Sequence, residues 1–395
     1  MCKVLNKSRD FCANFCYKVG MKRYLYDQII KDLQKKMVFI TGPRQVGKTY
    51  LSKEIMREFR NPQYLNHDNE TDRKIIRKRS WRLDTDLLVF DEIHKMKKWK
   101  NFLKGTYDSR PAGQSILVTG SSRLETFRQT GESLAGRYLH LKLYPLSVKE
   151  LREVLPPFDA LEKLLRLGGF PEPFLSDSEE EAARWRNQYY TDLIREDILE
   201  FSRIHEIKAM RHLLELLRLR VGSPLSYRSL AEDLQMAPNT VKKYVSILES
   251  LYIIFLVKPF HKNIARSIMR EPKIYFYDSG FVKGDEGLRL ENTCANGLLK
   301  HVQYRHDVHG QELELNYLKT KDGKEVDFVI TRDSAPEKLI EVKLTDNKPS
   351  KSLFYFLAQL PQAQAVQLVH HLHQEEFQNN IQILRAGNWL ADLEA

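Results

Sequence analysis

Gly42-Pro43-Arg44-Gln45-Val46-Gly47-Lys48-Thr49 is the stretch of sequence that decides the fold. An apolar run at residues 37–40 precedes it, and a segment that can form a helix, residues 50–59, follows it. The spacing G-x-x-x-x-G-K-[ST] between a strand and a helix predicts a phosphate-binding loop. Its glycines allow several backbone N–H groups to face phosphate oxygens, and the N-terminus of the helix adds positive charge. Lys48 is expected to reach the β- and γ-phosphates of ATP, and Thr49 to bind Mg²⁺.

A second motif, residues 87–92, is an apolar run that ends in Asp91 and Glu92. Such a run is typical of a strand buried on both faces of a parallel sheet, and ligands bind at the carboxyl ends of such strands. Asp91 is therefore expected to hold Mg²⁺, and Glu92 to orient the water that attacks the γ-phosphate. Together with the loop, the motif predicts ATP hydrolysis.

Two further residues are candidates for the same site. A third strand, predicted within residues 115–122, ends in small polar residues, and Ser121 could contact the γ-phosphate or the attacking water. Arg137 is a candidate arginine finger acting on a neighbouring subunit, which would require a homo-oligomer. The alternative is a surface arginine paired with an acid. The residues expected to bind the nucleotide are Gly42, Pro43, Arg44, Gln45, Val46, Gly47, Lys48, Thr49, Tyr50, Asp91 and Ser121.

The order of motifs along the chain resembles a group of prokaryotic AAA+-like ATPases. The motifs are GPRQVGKT, LLVFDEIHK, ILVTGSSR, AGRYLHLKLYPLSVKE and GGFPEPF. The resemblance covers nearly all of residues 21–360. It implies a C-terminal half made of a helix-turn-helix and a domain of uncharacterised function that is itself similar to PD-(D/E)xK nucleases.

Composition narrows the classes of partner and location. The formal net charge of +11 favours contact with polyanions, and basic residues cluster at 73–79 and 95–100. Such runs are usually only solvated faces, but two of them together with the net charge favour DNA as a partner. The longest apolar runs are too short to span a membrane. Four cysteines do not make a disulfide framework in a chain of 395 residues, so a cytoplasmic location is expected.

Strand-like and helix-like patterns suggest an α/β protein with several domains. The expected fold class is a P-loop parallel sheet with helices on both faces, then a helical and winged-helix unit, then a restriction-endonuclease-like α/β domain. The leader lacks a sustained apolar core and precedes the first motif. The predicted ranges are 1–20 for an N-terminal extension, 21–165 for the ATPase domain, 166–222 for a helical linker, 223–285 for a winged helix-turn-helix and 286–395 for the nuclease-like domain.

Residues 225–250 carry the pattern of two short helices joined by a tight turn. Ser226 can cap the first helix, and Val241, Val245 and Leu248 give the second one a buried face. That spacing leaves Lys242 and Lys243 facing outward, as in a DNA-binding helix-turn-helix whose wing follows it. The alternative is a protein-interaction module of the same shape.

The C-terminal part contains a predicted hairpin at Asp322-Gly323, with Asp327 in its second strand. In the next strand, alternation places Glu341 and Lys343 on one face. A carboxylate beside Glu-x-Lys is the PD-(D/E)xK layout. The resemblance implies that Asp327 and Glu341 hold Mg²⁺ or Mn²⁺, that Lys343 stabilises developing charge, and that Glu291 is the accessory acid.

Two functional hypotheses remain open at this point. The first is an Mg²⁺-dependent ATPase that binds DNA, with or without metal-dependent cleavage. The alternative is a nucleotide-gated regulator or protein-interaction switch with an inert nuclease-like domain. The expected catalytic residues are Lys48, Glu92, Arg137, Asp327, Glu341 and Lys343, and the expected metal ligands are Thr49, Asp91, Glu291, Asp327 and Glu341.

Overall fold

The computed structural model describes most of the chain that follows residue 20. The described residues are 21–120, 134–195, 204–261, 271–346 and 348–395. The chain divides into two compact units, Met1–Tyr144 and Pro145–Ala395, which we call unit 1 and unit 2. The predicted N-terminal extension, residues 1–20, lies outside the described residues, as does Ser121.

In the described part of unit 1, a parallel sheet of five strands forms the centre. β1 and β3 are buried along their whole length, as expected for apolar strands covered on both faces. Every neighbouring pair is parallel, in the order β2-β3-β4-β1-β5. This arrangement confirms the predicted α/β class with a P-loop type of sheet. The strands are β1 Met37–Thr41, β2 Pro62–Asn66, β3 Leu87–Asp91, β4 Ser115–Thr119 and β5 Tyr138–Lys142.

Helices cover this sheet and build an aromatic core with it. Phe90 and Phe102 meet edge to face with ring centroids 5.7 Å apart, and Phe39 packs against Trp99. Asn69 caps one helix, because its side chain accepts hydrogen bonds from two backbone N–H groups of the first turn. The helices of unit 1 are α1 Tyr26–Leu33, α2 Lys48–Met56, α3 Glu70–Lys78 and α4 Trp99–Asp108.

Unit 2 combines helices with a second sheet. Its longest helix is capped by Asp285, whose side chain accepts a hydrogen bond from the backbone N–H of Leu288. The helices are α5 Val148–Leu151, α6 Pro157–Leu167, α7 Pro171–Ser176, α8 Glu179–Leu193, α9 Ile204–Arg218, α10 Tyr227–Leu234, α11 Pro238–Ser250, α12 Glu286–His309, α13 Lys351–Gln359 and α14 Ala386–Ala391. Among the described residues, no helix combines the length and the apolar character that crossing a membrane requires.

The boundary between unit 1 and unit 2 follows Tyr144, which is earlier than residue 165, the predicted end of the ATPase domain. Lys300 of α12 explains part of the difference, because its buried ammonium group donates to the Pro145 carbonyl and the Ser147 hydroxyl, both at 3.0 Å, and pairs with Glu150. The glycine-rich stretch after α6, near the start of the predicted helical linker, also packs inside unit 2. A Cβ atom on Gly168 would lie 2.0 Å from a carboxylate oxygen of Asp278.

The two helices α10 and α11 lie where the sequence pattern places them. The Ser226 hydroxyl accepts the backbone N–H of Ser229 at 3.3 Å. Val241, Val245 and Leu248 are buried. Strands Ile254–Pro259 and Lys273–Phe276 follow as an antiparallel pair. Residues 262–270 of the predicted wing lie outside the described residues.

Across the described residues, the sheet of unit 2 has eight strands, and it joins two regions that the sequence predicts as separate domains. Its strands are β6 Ile254–Pro259, β7 Lys273–Phe276, β8 Leu313–Lys319, β9 Glu325–Arg332, β10 Ala335–Lys343, β11 Gln364–Val369, β12 Glu376–Gln378 and β13 Ile381–Arg385. Their order is β12-β13-β11-β10-β9-β8-β6-β7. β6 pairs in parallel with β8, so the strands predicted for the wing are continuous with those of the predicted nuclease-like domain.

Candidate nucleotide site and carboxylate cluster

The loop between β1 and α2 follows a path that depends on its glycines. Gly42 has a φ angle of 144°, and a Cβ atom there would lie 2.1 Å from the Leu143 carbonyl oxygen. Gly47 has a φ angle of 98° and directly precedes α2. The Leu143 carbonyl therefore excludes a side chain at position 42, and the positive φ angle disfavours one at position 47.

Lys48 lies at the start of α2 with its side chain folded against the loop. Its ammonium group donates to the carbonyls of Gly42 at 3.0 Å and Pro43 at 2.5 Å, and the residue is 8% exposed. Burial lowers the pKa of Lys48 to about 8, against the opposing effect of Glu92 and Asp91. A phosphate group would restore the full charge, so the site favours an anionic ligand.

Asp91 is the point at which three polar side chains meet. Its carboxylate accepts hydrogen bonds from Thr119 at 2.6 Å, from Thr49 at 3.1 Å and from the hydroxyl of Tyr64. Asp91 and Thr119 are the last residues of β3 and β4, and Thr49 lies at the start of α2. The Tyr64 hydroxyl reaches them from the middle of β2, so the four groups meet at the carboxyl edge, where a parallel sheet binds ligands. Hydroxyl and carboxylate oxygens are the donors that Mg²⁺ prefers, so Thr49 and Asp91 fit this ion.

Glu92 follows Asp91 in a left-handed conformation, with a φ angle of 54°. Its backbone N–H donates to the Thr119 carbonyl at 3.0 Å, which fixes the turn. Burial raises the pKa of Glu92, and the neighbouring Asp91 raises it further. Lys95 Nζ lies 3.6 Å from the Glu92 carboxylate. A carboxylate with a raised pKa beside the loop has the basicity expected of a group that polarises water.

Three residues of this region escape sequence reasoning. Thr119 and Tyr64 contact Asp91, and the buried Arg23 donates to the carbonyls of Val46 at 2.7 Å and Tyr144 at 2.6 Å. Thr119 lies two positions before Ser121, in the motif that the sequence does single out. Arg23 gives no comparable signal, because its contacts are remote in sequence.

Arg137 is not brought to the nucleotide-site residues of its own chain. It precedes β5, whose first residue aligns with Met37 at the amino end of β1, the edge of the sheet opposite the loop. Its guanidinium group binds the Asp108 carboxylate through two contacts of 2.8 and 3.1 Å. This contact matches the alternative interpretation of Arg137, a surface arginine paired with an acid. A finger role in a neighbouring subunit would require that pair to open, and it stays a prediction.

The C-terminal candidates converge in unit 2. Lys343 Nζ lies 2.8 Å from Glu341 Oε1 on β10, and Asp327 on β9 accepts the backbone N–H of Val342 at 2.9 Å. Glu291 lies on α12 and accepts the Tyr275 hydroxyl at 2.6 Å. The hairpin and the alternation along β10 therefore bring these residues to one region, although their roles remain predictions.

Lys273 of β7 enters the same cluster and was missed by sequence reasoning. Its side chain is 1% exposed, and its Nζ lies 2.5 Å from Glu325, 3.4 Å from Glu291 and 3.7 Å from Asp327. Burial alone would lower the pKa of Lys273, but the three carboxylates together raise it. An ammonium group thus contacts two of the carboxylates that a divalent cation was expected to use.

The cluster also contains an incompletely satisfied carboxylate. Glu341 Oε2 is buried without a hydrogen-bond partner among the described residues. Burial and the nearby Asp327 raise the pKa of Glu291 and of Glu341 to about 7. The oxygen donors suit Mg²⁺ or Mn²⁺, whereas the contacts of Lys273 already supply positive charge. The oxygen donors favour a metal site, whereas the contacts of Lys273 favour a structural ion network.

Three family models of known proteins match successive parts of the chain. Residues 34–152 match the family model described as AAA domain. This part of the chain is therefore similar to AAA domains. Residues 158–288 match a domain of unknown function, DUF8612, and residues 286–389 match another, DUF4143. The AAA-like part of the resemblance is thereby confirmed, while the winged helix and the nuclease similarity stay predictions.

The relatives that match by sequence are each described as uncharacterized. An uncharacterized protein of Mycobacterium tuberculosis is 27% identical over 319 residues, covering 76% of this chain and 71% of that protein. An uncharacterized protein of Methanocaldococcus jannaschii is 27% identical over 360 residues, covering 82% and 78%. Among solved structures, the Walker-type ATPase of Pyrococcus abyssi aligns with a TM-score of 0.41 and 14% identity, covering 67% of this chain and 94% of that one.

Proposed function

We propose that the protein binds ATP with Mg²⁺ and hydrolyses it at the edge of the sheet in unit 1. The observation that carries the proposal is the meeting of Thr49, Thr119 and Tyr64 on Asp91, next to the loop that buries Lys48. Polar groups from three strands and one helix meet at Asp91, which supports placing the phosphate chain beside them.

Each residue has a separate task in this proposal. Lys48 exchanges its contacts with the Gly42 and Pro43 carbonyls for phosphate oxygens. Thr49 and Asp91 hold Mg²⁺, which when bound neutralises charge on those oxygens. Glu92 accepts a hydrogen bond from the attacking water and orients it. The nucleotide contacts of Arg44, Gln45, Tyr50 and Ser121 are part of the same proposal.

The direct test is ATP turnover with and without Mg²⁺, and with and without duplex and single-stranded DNA. Turnover that requires Mg²⁺ and disappears in Glu92→Gln supports the assignment. Tight nucleotide binding with equal, negligible turnover in both proteins would leave a nucleotide-gated switch.

DNA is the partner that we propose for the basic surfaces. Lys242 and Lys243 are exposed on α11 while Val241 and Val245 of the same helix are buried. Lys97 and Lys98 in one basic cluster are exposed as well. Phosphate contacts by such groups weaken steeply as salt rises, so a salt titration of DNA binding tests the proposal.

A second candidate function follows from Lys273. Its ammonium group contacts Glu325, Glu291 and Asp327, so the carboxylate cluster is neutralised in part from inside the protein. This favours the hypothesis of a nucleotide-gated regulator in which unit 2 binds without cutting. Metal-dependent cleavage through Asp327, Glu341 and Lys343 remains the competing prediction.

Cleavage of labelled DNA with Mg²⁺ or Mn²⁺ separates the two hypotheses. The regulator hypothesis predicts no cleavage by wild type or by Lys343→Ala. Cleavage by wild type that disappears in Lys343→Ala would establish a nuclease. Cleavage that persists in Lys343→Ala would come from a contaminant.

A further inference from the structure

Two histidine–glutamate pairs of unit 2 converge on one point outside the carboxylate cluster. Glu162 comes from α6, Glu286 is the first residue of α12, and His370 and His371 directly follow β11. One ligand atom from each of the four lies within 4.8 Å of the other three. Three segments remote in sequence thus present two imidazole nitrogens and two carboxylate oxygens to the same small volume.

The two pairs differ in spacing, and the longer one leaves a place for a cation. Glu286 Oε1 lies 3.6 Å from His371 Nε2, which is too long for a hydrogen bond. With zinc–ligand bonds of about 2.0–2.2 Å, two atoms at this separation subtend roughly 120° at the ion, close to a tetrahedral angle, so an ion bound by both atoms fits the gap. Glu162 Oε1 lies 2.5 Å from His370 Nε2, a hydrogen-bond distance at which a proton lies between the two atoms. Binding one ion through both atoms would displace that proton and move the atoms apart by roughly 0.8 Å.

His370 supplies an independent indication. Its side chain is fully buried, and its Nδ1 atom has no hydrogen-bond partner among the described residues. A neutral imidazole always carries one lone pair. If Nε2 donates to Glu162, that lone pair is the unsatisfied Nδ1. If Nδ1 carries the proton, the lone pair faces the Glu162 carboxylate. In both tautomers Nδ1 lacks a partner, so the buried ring has bonding capacity that the described residues leave unused.

The histidines are also held in place before any ion binds. The backbone N–H groups of His370 and His371 donate to the carbonyls of Lys343 at 3.0 Å and Leu344 at 2.8 Å. Phe158 stacks on the His370 ring with centroids 5.0 Å apart and an interplanar angle of 16°. Rings fixed by backbone hydrogen bonds and by stacking lose little freedom on binding a metal ion.

We propose that Glu162, Glu286, His370 and His371 bind one divalent transition-metal ion, with Zn²⁺ as the preferred ion. Two nitrogen and two oxygen donors match the ligand types of zinc, and imidazole ligands disfavour Mg²⁺ and Ca²⁺. The ion would join α6, α12 and the end of β11, and it would stabilise unit 2 because it binds the folded chain only. This site is separate from the ATPase proposal and does not depend on it.

The test uses the full chain, stripped with a chelator and titrated with Zn²⁺ and with Co²⁺. Isothermal titration gives the stoichiometry, Co²⁺ absorption reports the coordination geometry, and a thermal melt reports stability. We expect one ion per chain and a higher melting temperature with Zn²⁺. His371→Ala and Glu286→Gln should each weaken binding by at least about tenfold.

The matched control is His309→Ala. His309 Nε2 lies 3.3 Å from Glu394 Oε2, and the exposures of that pair, 45% and 39%, are close to the 42% and 47% of His371 and Glu286. The control should bind Zn²⁺ like the wild type. Glu286→Gln keeps the side-chain shape, so its circular dichroism and its melt without metal should match the wild type even if His371→Ala folds poorly. Absence of binding by the wild type, or equal Zn²⁺ affinity in Glu286→Gln and wild type, would overturn the proposal.

Discussion

The nucleotide site of unit 1 and the carboxylate cluster of unit 2 are both rich in charge, but they satisfy it differently. In unit 1, Lys48 is held by two backbone carbonyls of its own loop, and Asp91 accepts from three hydroxyl groups. In unit 2, Lys273 contacts three carboxylates. Neutral partners can be exchanged for a ligand at low cost, whereas a buried ion network is costly to break, because removing one partner leaves the other charges uncompensated. The first arrangement suits binding, and the second suits structure.

The largest effect that follows from this comparison is the loss of ATP binding in Lys48→Ala. Removing the ammonium group removes the counter-charge for phosphate. ATP binding should therefore weaken by about tenfold to a hundredfold. The fold should persist, because the lost partners are loop carbonyls. Lys53→Ala, an exposed lysine on the same helix, is the control and should bind ATP normally. Unchanged ATP affinity in Lys48→Ala by isothermal titration would remove the loop from the proposed site.

Lys273→Met should give the opposite pattern. Without the ammonium group, Glu325, Glu291 and Asp327 are left without that counter-charge, and unit 2 should lose about 3 kcal/mol of stability. ATP affinity should stay normal.

The control for this variant is Lys319→Met, because Lys319 pairs with the same Glu325 at 2.6 Å from an exposed position. That change should cost less than about 1 kcal/mol. Chemical denaturation measures both variants. Equal stability of the two would show that Lys273 is not a structural counter-ion.

A smaller effect is expected from the double change Lys242→Glu and Lys243→Glu. Both side chains are exposed on α11, so DNA affinity and its dependence on salt should fall while ATP affinity stays constant. Fluorescence anisotropy over a salt series measures the change. If the double variant binds DNA like the wild type, the contact must be sought at the basic residues near Arg77 and Lys98.

The smallest effect is expected from removal of residues 1–20. The packed part of the described chain begins at Met21 and Leu25, which are 5% and 1% exposed. A protein that begins at Met21 should therefore keep its melting temperature and its ATPase rate. A decrease of many degrees in a thermal melt would show that residues 1–20 pack against unit 1.

How much could be predicted from the sequence differs between the two regions. The loop, Thr49, Asp91 and Glu92 follow from local spacing, because each motif lies at the end of a strand whose apolar pattern is visible. Arg23, Tyr64 and Thr119 do not, because their contacts join positions far apart in the sequence.

In unit 2 the hairpin and the alternation along β10 indicated where Asp327, Glu341 and Lys343 lie. No sequence pattern indicates that β7 joins their sheet, because the strand order depends on the pairing of β6 with β8. Lys273 is brought to the acids by that long-range pairing. For the same reason the predicted boundary between residues 285 and 286 does not separate two sheets.

The measurement that tests the central claim most directly is Mg²⁺-dependent ATP turnover by the Glu92→Gln variant, with ATP binding measured in parallel. Glu70→Gln is the control, because its side chain is 80% exposed on α3. The account predicts that Glu92→Gln binds ATP as tightly as the wild type, since Lys48, Thr49 and Asp91 are intact, and that its turnover falls by at least about a hundredfold while Glu70→Gln stays active. Turnover by Glu92→Gln at the wild-type rate would contradict the assignment of the site.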